Sequence, residues 1–398
     1  MATGRGRPLV ALAAGLLATI LMSTACAARP DAQAATSRLR IGLLVSLTGI
    51  YKSTGEDMRR GAELYLSTHG NALGGHPIEL IAADEGDGGL VGLPPAEKLV
   101  EQDRVAALVG VVNGGTVTAI TEVLRKAEIP LLGSNGRPSR MDDVEYVWHT
   151  SYVSADAGAA MGAYVRRAAR GPVYVIGPDY PGGWDEIGGF VRAFAAAGGK
   201  LANPGGKAKF TPYPSTTNFQ PYLDAIESSD ARAVYCSYTG RAAIDFVMQY
   251  KQYGLAGRMP LYAAGFLTEG NVLTAQGAAA TGIKNSLNYA ADLDNPTNRA
   301  FVAAYQSAYN MLPTTFAMST YDAMAVLDRA IAAAGEDPTP ESINEAIGAV
   351  GQIDSPRGVW HFNPKTHTPV QKWYLRDVRM DGPTLTNVVL QELPTIGG

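Results

Sequence analysis

The first strong pattern in the chain is an apolar run followed by a polar, glycine-bearing loop and an amphipathic segment. Residues 39–47 are aliphatic with few polar interruptions, which is typical of a parallel strand buried on both faces. Apolar residues then recur at helical spacing between residues 58 and 66. Because ligands bind at the carboxyl ends of strands in open α/β sheets, the loop at residues 46–54 is predicted to lie at a binding edge. The alternative is a βα loop without a ligand contact.

The same rhythm of strand and helix continues along two stretches of the chain. In the first stretch, further strands are predicted at residues 77–83, 105–109, 129–132 and 146–150. The second stretch begins after a change of composition near residues 151–155. Its strands are predicted at residues 172–177, 207–210, 231–237 and 260–264. Repeated βα steps require a parallel sheet with helices on both faces, so the predicted fold class is α/β, with two Rossmann-like lobes.

The C-terminal part of the chain has a different pattern. Helices are predicted at residues 298–309, 315–334 and 339–349, and strands at residues 358–362 and 372–377. An economical arrangement returns these helices to the first lobe and these strands to the second, so that the chain crosses between the lobes several times. This hypothesis gives an N-terminal lobe of residues 38–150 plus 286–357 and a C-terminal lobe of residues 151–285 plus 358–398.

Residues 1–25 have the features of a signal peptide. Arg5 and Arg7 provide the positive start, and the apolar segment at residues 10–22 is too short to span a bilayer as a stable helix. The sequence therefore predicts export, and an extracytoplasmic location.

The end of this apolar segment resembles a bacterial lipobox, because small residues precede Cys26. Ser23 stands where an aliphatic residue is usual. We predict that Cys26 is lipidated and anchors the protein to the membrane, with residues 26–37 as a small, polar tether. Cleavage that releases a secreted protein is the alternative. With Cys26 in the anchor, Cys236 has no partner for an intrachain disulfide, so stability must come from the size of the core.

The charge balance disfavours one class of partner. Cleavage before residue 26 removes two of the 33 basic residues, which leaves 31 against 37 acidic ones and a net charge near −6. Nucleic acid is therefore not expected as a partner, because no basic stripe is present to displace counterions.

The sequence contains none of the usual catalytic constellations. There is no GxSxG elbow and no GxxxxGK[ST] phosphate loop. The five histidines do not pair at zinc-ligand spacing. The acidic run at residues 84–87 resembles part of a calcium loop but lacks its further ligands and terminal glutamate. We predict no enzyme activity, no cofactor and no metal site, and we keep an α/β enzyme acting on small metabolites as the least favoured alternative.

Several characteristic segments follow one another in a fixed order, among them IGLLVSLTG, KLVEQDRVAALVG, IPLLGS, DYPGGW and GVWHFNP. In this order and spacing they resemble the periplasmic binding proteins of the leucine/isoleucine/valine type, the extracytoplasmic receptors of ABC importers. Together with their neighbours they cover nearly all of residues 38–380. The resemblance implies the type I fold, in which two lobes close on a small-molecule solute and deliver it to ABC permease subunits. A sensor with the same clamp, signalling to a membrane partner, is the alternative function.

The resemblance also implies ligand contacts at the ends of particular strands. In the first lobe these positions are Thr54, then Asn113, Gly114, Gly115 and Thr116, then Asn135, Gly136 and Arg137. In the second lobe they include Tyr180 and Tyr238. Trp184 is either a wall of the ligand site or a helix-packing residue.

Two departures from the family pattern bear on the solute. Members that bind amino acids usually carry a carboxylate after the strand at residues 260–264, to pair with the ligand's ammonium group, whereas Gly265 and Phe266 stand here and Glu269 is the first acid. Gly265 and Phe266 complete the set of predicted ligand contacts. In addition, Arg137 replaces a small hydroxyl residue, and a guanidinium suits an anion. An acidic or neutral solute is therefore favoured, within the wider class of small amino-acid-like or carboxylate solutes.

Overall fold

The computed structural model describes residues 38–397. The predicted signal peptide, the lipidation site Cys26 and the whole predicted tether lie outside the described residues. Within residues 38–397, none of the helices combines the length and apolar character that a membrane span requires.

The described chain alternates strands and helices in its first two thirds and ends in a long β-hairpin. The strands are β1 (Leu39–Val45), β2 (Ala72–Leu73), β3 (His76–Asp84), β4 (Ala107–Gly110), β5 (Leu131–Gly133), β6 (Gly136–Arg137), β7 (Val147–His149), β8 (Tyr152–Val153), β9 (Val173–Asp179), β10 (Lys209–Pro212), β11 (Ala233–Cys236), β12 (Leu261–Ala264), β13 (Lys284–Leu287), β14 (His361–Phe362), β15 (Pro369–Asp381) and β16 (Thr384–Ile396). The helices are α1 (Lys52–Thr68), α2 (Leu93–Glu97), α3 (Gly114–Ala127), α4 (Asp156–Ala169), α5 (Pro181–Ala196), α6 (Gln220–Glu227), α7 (Gly240–Gln252), α8 (Asn271–Gln276), α9 (Pro296–Tyr309), α10 (Thr315–Ala334) and α11 (Pro340–Gly348).

The first sheet has the strand order β2-β3-β1-β4-β5-β7, and every pair except β2–β3 is parallel. Both faces of β1 are covered, as its continuous apolar run predicts. One face packs against α1, α10 and α11, through residues such as Met58 and Leu327. The other face packs against α2 and α3, through Ala96 and Ile120. Gly61 allows α1 and α10 to approach closely, because a Cβ there would collide with the carbonyl oxygen of Ala317.

The second sheet has the strand order β10-β9-β11-β12-β13-β15-β14, and β16 pairs with β15. The strands from β10 to β13 are parallel, whereas β14, β15 and β16 pair in antiparallel fashion. Helices α4 and α5 cover one face, with Phe190 stacked on Tyr235 at 3.6 Å between ring centroids. Helices α6, α7 and α8 cover the other face, around Phe219 and Phe246.

Two strands of the second sheet have no counterpart in the sequence-based expectation. In β13, Asn285 is completely buried, and its Oδ1 accepts a hydrogen bond from Nε of Arg376 at 2.8 Å. This distant partner makes a polar residue tolerable in a buried strand. Strand β16 lies at the edge of the pairing with β15 and alternates only weakly between buried and exposed residues.

The apolar pattern predicts helices that begin near residues 55, 117, 185 and 242, and each of them begins two to four residues earlier in the structure. The first helical residues are Lys52 in α1, Gly114 in α3, Pro181 in α5 and Gly240 in α7. Proline is well suited to the first helical position, since its missing N–H has no partner there. Segments expected to be binding loops are therefore the first turns of helices.

Candidate functional site

A large cavity in the described part of the chain lies where strands of both sheets end. Its volume is about 450 Å³. Residues that follow β1, β4 and β5 line one side, and residues that follow β9, β11 and β12 line the other. This is the edge at which α/β sheets bind ligands. Below, the two sides are called the first-sheet wall and the second-sheet wall.

The first-sheet wall is built around the N-terminus of α3. Asn113 caps this helix, since its side-chain oxygen accepts the N–H of Gly115 at 2.8 Å. Nδ2 of Asn135 donates to the carbonyl of Val112 at 2.7 Å, and the hydroxyl of Tyr152 donates to Oδ1 of Asn135 at 2.7 Å. These bonds hold the two loops against each other, so the wall presents backbone and amide groups in a fixed arrangement.

Glu85 supports this wall from behind. It is completely buried, its Oε2 accepts the N–H of Val112 at 2.6 Å, and its Oε1 accepts the N–H of Asn113 at 2.8 Å. Burial raises the pKa of Glu85 to about 7, while the two backbone N–H groups act in the opposite direction. Both carboxyl oxygens are therefore used in fixing the strand-to-helix turn.

Aromatic rings from both sheets form much of the cavity lining. Phe266 lies 4.9 Å from Tyr152 and 6.2 Å from Phe316, measured between ring centroids, and all three line the cavity. Near the opposite end, Tyr180 stacks on Tyr213 at 4.7 Å. Such surfaces suit a flat or apolar solute.

The four acidic residues that line the cavity all accept hydrogen bonds from the protein. Oδ1 of Asp57 accepts from Arg60 at 2.8 Å, and burial raises the pKa of Asp57 to about 6. Glu269 is 7% exposed and pairs with the buried guanidinium of Arg376 at 3.0 Å. A carboxylate paired in this way has little left to offer a ligand's ammonium group.

The other two acids belong to the second-sheet wall. Oδ2 of Asp185 accepts the N–H of Ser139 at 2.8 Å. Oε1 of Glu186 accepts the hydroxyl of Tyr235 at 2.8 Å, and burial raises the pKa of Glu186 from its ordinary value of 4.5 to about 8. Glu186 is therefore mainly a neutral carboxylic acid at pH 7.

Positive potential in the cavity comes from helix N-termini. Among the described residues that line it, none is Lys or Arg, whereas the first residues of α3, α5 and α7 are lining residues. The N–H groups of a first helical turn bind anions, and the helix dipole adds to the attraction. The arrangement can hold a carboxylate without a cationic side chain.

Direct contacts join the two sides of the cavity. The hydroxyls of Tyr51 and Tyr213 lie 3.5 Å apart, and Nδ2 of Asn271 donates to Oγ of Ser53 at 3.1 Å. The bond from Ser139 to Asp185 is a third contact of this kind. The structure therefore represents the two walls in contact.

Eight of the thirteen residues predicted as ligand contacts line the cavity. They are Thr54, Asn113, Gly114, Gly115, Asn135, Gly136, Tyr180 and Phe266. Gly136 leaves room for the ring of Tyr152, because a Cβ there would lie 3.0 Å from a carbon of that ring. The structure thus brings together residues that are far apart in sequence.

Three of the predicted polar or glycine positions lie outside the cavity. Arg137 is 5% exposed and donates to the carbonyl of Thr366 at 3.0 Å, so its guanidinium is used within the fold. Thr116 is buried, and its hydroxyl donates to the carbonyl of Gly89 at 3.3 Å. The carbonyl of Gly265 faces Nη2 of Arg376 at 3.4 Å.

Two predicted aromatic contacts also lie outside the cavity. Tyr238 is in the core around Phe219, with its hydroxyl 3.2 Å from that of Thr211. Its neighbours Ser237 and Thr239 line the cavity instead, because side chains alternate along extended backbone. Trp184 is 50% exposed, and its Nε1 donates to Asp179 at 2.8 Å.

The structure adds lining residues that the sequence-based reasoning did not select. Tyr51 lies in the loop already predicted as a binding edge, and Tyr152 follows the end of the strand predicted at residues 146–150 by two residues. Both could have been found by the strand-end rule. Phe316 and Glu186 lie within helices, and only the tertiary fold brings them to the cavity.

Comparison with known proteins gives matches over nearly the whole described chain. The family model described as "Periplasmic binding protein" matches residues 38–383. A protein named Leu/Ile/Val-binding protein homolog 6, from Brucella melitensis, is 27% identical over 360 residues, which are 89% of this chain and 91% of that protein.

Solved structures of ABC-transporter solute-binding proteins are also similar. One from R. palustris, in complex with benzoate, has 30% sequence identity and a TM-score of 0.82, covering 91% of this chain and 98% of that one. Another from R. palustris, in complex with 4-hydroxybenzoate, has 25% identity and a TM-score of 0.81, covering 90% of this chain and 97% of that one.

Proposed function

The chain belongs to the periplasmic binding protein family, and from this premise we propose that its cavity binds a small aromatic carboxylate for delivery to ABC permease subunits. Family membership confirms the resemblance and the α/β fold class predicted from the sequence. The protein is accordingly a solute-binding protein of an ABC transporter, of an extracytoplasmic family. The class of solute is the part that we add.

The observation that carries the proposal is the chemistry of the cavity lining. Aromatic rings such as Phe266 and Phe316 provide an apolar surface for a ring. The N-terminus of α3 provides N–H groups and a favourable dipole for a carboxylate, and Gly114 permits close approach. The relatives in complex with benzoate and 4-hydroxybenzoate are consistent with a solute that has both parts.

The acids of the cavity argue against an α-amino acid as the solute. An ammonium group needs an ionised carboxylate that has no other cation. Glu269 is already paired with Arg376, Asp57 with Arg60, and burial keeps Glu186 neutral. Asp185, like Glu186, has no cationic partner at salt-bridge distance among the described residues, but it already accepts the N–H of Ser139.

We also propose that the two sheets belong to lobes that move relative to each other, with the lobe boundaries expected from the sequence. Contacts such as Ser53 with Asn271 would then form on closure and stabilise the closed state together with the solute. Lipidation at Cys26 would hold the protein at the membrane beside its permease. Mass spectrometry of the membrane fraction tests that step, since an unmodified, released protein would contradict it.

A ligand panel followed by thermal unfolding tests the proposed solute class. A true solute raises the melting temperature, because it binds the native state and not the unfolded chain. We expect benzoate and hydroxybenzoates to raise it and leucine, isoleucine and valine to leave it unchanged at the same concentration. Stabilisation by the amino acids alone would contradict the proposal.

A further inference from the structure

One buried carboxyl group in the cavity lining has unused hydrogen-bonding capacity. Glu186 is 3% exposed, and its Oε1 accepts the hydroxyl of Tyr235 at 2.8 Å. Its Oε2 is buried and has no hydrogen-bond partner within residues 38–397. A buried polar atom without a partner costs free energy, so such an atom in a native protein calls for an explanation.

The environment of Glu186 determines what this oxygen can bind. Because Oε1 accepts from Tyr235, the proton of the neutral acid lies on Oε2, which makes Oε2 a donor. Burial raises the pKa of Glu186 to about 8, and the neighbouring Asp156 and Asp185 raise it further. These two acids also disfavour a second carboxylate of the solute at this place. A neutral oxygen atom of the solute is therefore the suitable acceptor for the proton of Glu186.

We propose that Glu186 donates a hydrogen bond to a hydroxyl group on the solute's ring, so that the cavity selects hydroxylated aromatic carboxylates over unsubstituted ones. This inference rests on the proposed function, because it takes the cavity to be the solute site. The negative end of the solute then lies toward the first-sheet wall, where the N-terminus of α3 begins, and the hydroxyl lies at the second-sheet wall.

Calorimetric titration with benzoate, 3-hydroxybenzoate and 4-hydroxybenzoate tests the assignment. We expect the wild-type protein to bind one hydroxybenzoate isomer about tenfold more tightly than benzoate, as one neutral hydrogen bond allows. Glu186→Met removes the donor while keeping an unbranched helix-forming side chain, and it should abolish this preference. Glu186→Gln should retain most of it, because the amide can accept from Tyr235 and donate with its NH₂ group.

Glu186→Asp provides a second route if the methionine variant does not fold. It keeps a carboxyl group but withdraws it by one methylene, so the preference should also fall. A preference that persists in both the Met and the Asp variants would overturn the inference, as would a wild-type protein that does not distinguish benzoate from either isomer. Failure to bind any of the three acids would overturn the proposed function itself, and the inference with it.

Discussion

Two buried glutamates, one behind each wall of the cavity, share a titration behaviour and differ in their hydrogen bonds. Burial raises the pKa of both, to about 7 for Glu85 and to about 8 for Glu186. Both oxygens of Glu85 accept backbone N–H groups, whereas one oxygen of Glu186 has no partner in the described chain. The difference indicates that Glu85 is a structural support and that Glu186 has capacity left for a ligand.

The same contrast holds for the walls as a whole. The first-sheet wall presents backbone and amide groups whose positions are fixed by Asn113 and Asn135. The second-sheet wall carries Glu186, Asp185 and Glu269 together with aromatic rings. The N-termini of α5 and α7 also belong to the second-sheet wall, but three of the four acidic lining residues lie there as well, so this wall is less favourable for a carboxylate than the N-terminus of α3. The cavity can therefore orient a solute with one anionic end. The predictions below test this asymmetry, in order of expected effect.

The largest expected effect follows from breaking the ion pair of the second-sheet wall. Arg376→Met leaves Glu269 with the N–H of Thr315 but without its cationic partner, and removing one partner of a buried ion pair typically costs about 3–5 kcal/mol. Arg376 is 1% exposed and also donates to Asn285 and to the carbonyl of Tyr289, so these bonds are lost as well. Chemical denaturation measures the change in the free energy of unfolding.

Arg241→Met is the matched control, because Arg241 is 79% exposed and pairs with Asp245 on the surface of α7. Its change in the free energy of unfolding should stay within about 0.5 kcal/mol. Similar losses in the two variants would mean that the buried pair has no special role in the second-sheet wall.

The two glutamates are expected to differ in how well the fold tolerates their replacement by glutamine. Glu85→Gln places an NH₂ group against the N–H of Val112 or Asn113, and we expect a loss of about 2 kcal/mol in the free energy of unfolding. Glu186→Gln can keep the bond from Tyr235 and should cost less than about 0.5 kcal/mol at pH 7. Chemical denaturation of both variants under the same conditions measures the two changes in the free energy of unfolding. Equal losses would contradict the proposed difference between Glu85 and Glu186.

The pH dependence of stability should identify Glu186 as the protonated member of the second-sheet wall. The native state holds this proton more tightly than the unfolded chain, since burial raises the pKa from 4.5 to about 8. Its contribution to stability is therefore complete below pH 4.5 and is lost as the pH rises through 8. Glu186→Gln lacks this loss, so its stability relative to wild type should increase by at least about 1 kcal/mol between pH 5 and pH 8.5.

Other buried acids, among them Asp156, have raised pKa values and make the wild-type protein pH-dependent in the same sense. The difference between the variant and wild type separates Glu186 from this background. Thermal unfolding of the variant and the wild-type protein at several pH values measures this difference in stability. A difference that stays constant from pH 5 to pH 8.5 would show that Glu186 is already ionised in the native state.

Most of the α/β architecture could be predicted because its central strands are nearly continuous apolar runs. The runs of β1, β4 and β9 are buried almost throughout. Strand β13 could not be found in this way, since its buried Asn285 is tolerated only through Arg376, which lies 91 residues further along the chain. A local pattern contains no information about so distant a partner.

Cavity-lining residues were predictable where they follow the ends of strands. They were less predictable where a shift of one residue changes the side of the chain on which a side chain lies. Asn113 and Tyr180 were found because they come directly after strands that end at the binding edge. Tyr238 was selected although its two neighbours are the lining residues, because a shift of one residue reverses the face of an extended chain. Glu186 was missed, since its burial depends on Tyr235 of another element.

The last comparison concerns two aromatic residues from the set of predicted ligand contacts, and it includes the variant with the smallest expected effect, Trp184→Ala. Trp184 lies outside the cavity, is 50% exposed and bonds to Asp179, so Trp184→Ala should change the solute affinity by less than about twofold. Phe266→Ala, in contrast, removes a ring that lines the cavity and should weaken binding by about 30-fold, which corresponds to about 2 kcal/mol of lost apolar contact. Calorimetric titration of both variants with one hydroxybenzoate measures the difference. Trp184 lies on α5 next to Asp185. A large loss of solute affinity in the Trp184 variant would therefore contradict the cavity lining given above. It would mean that the second-sheet wall extends along α5 to the protein surface.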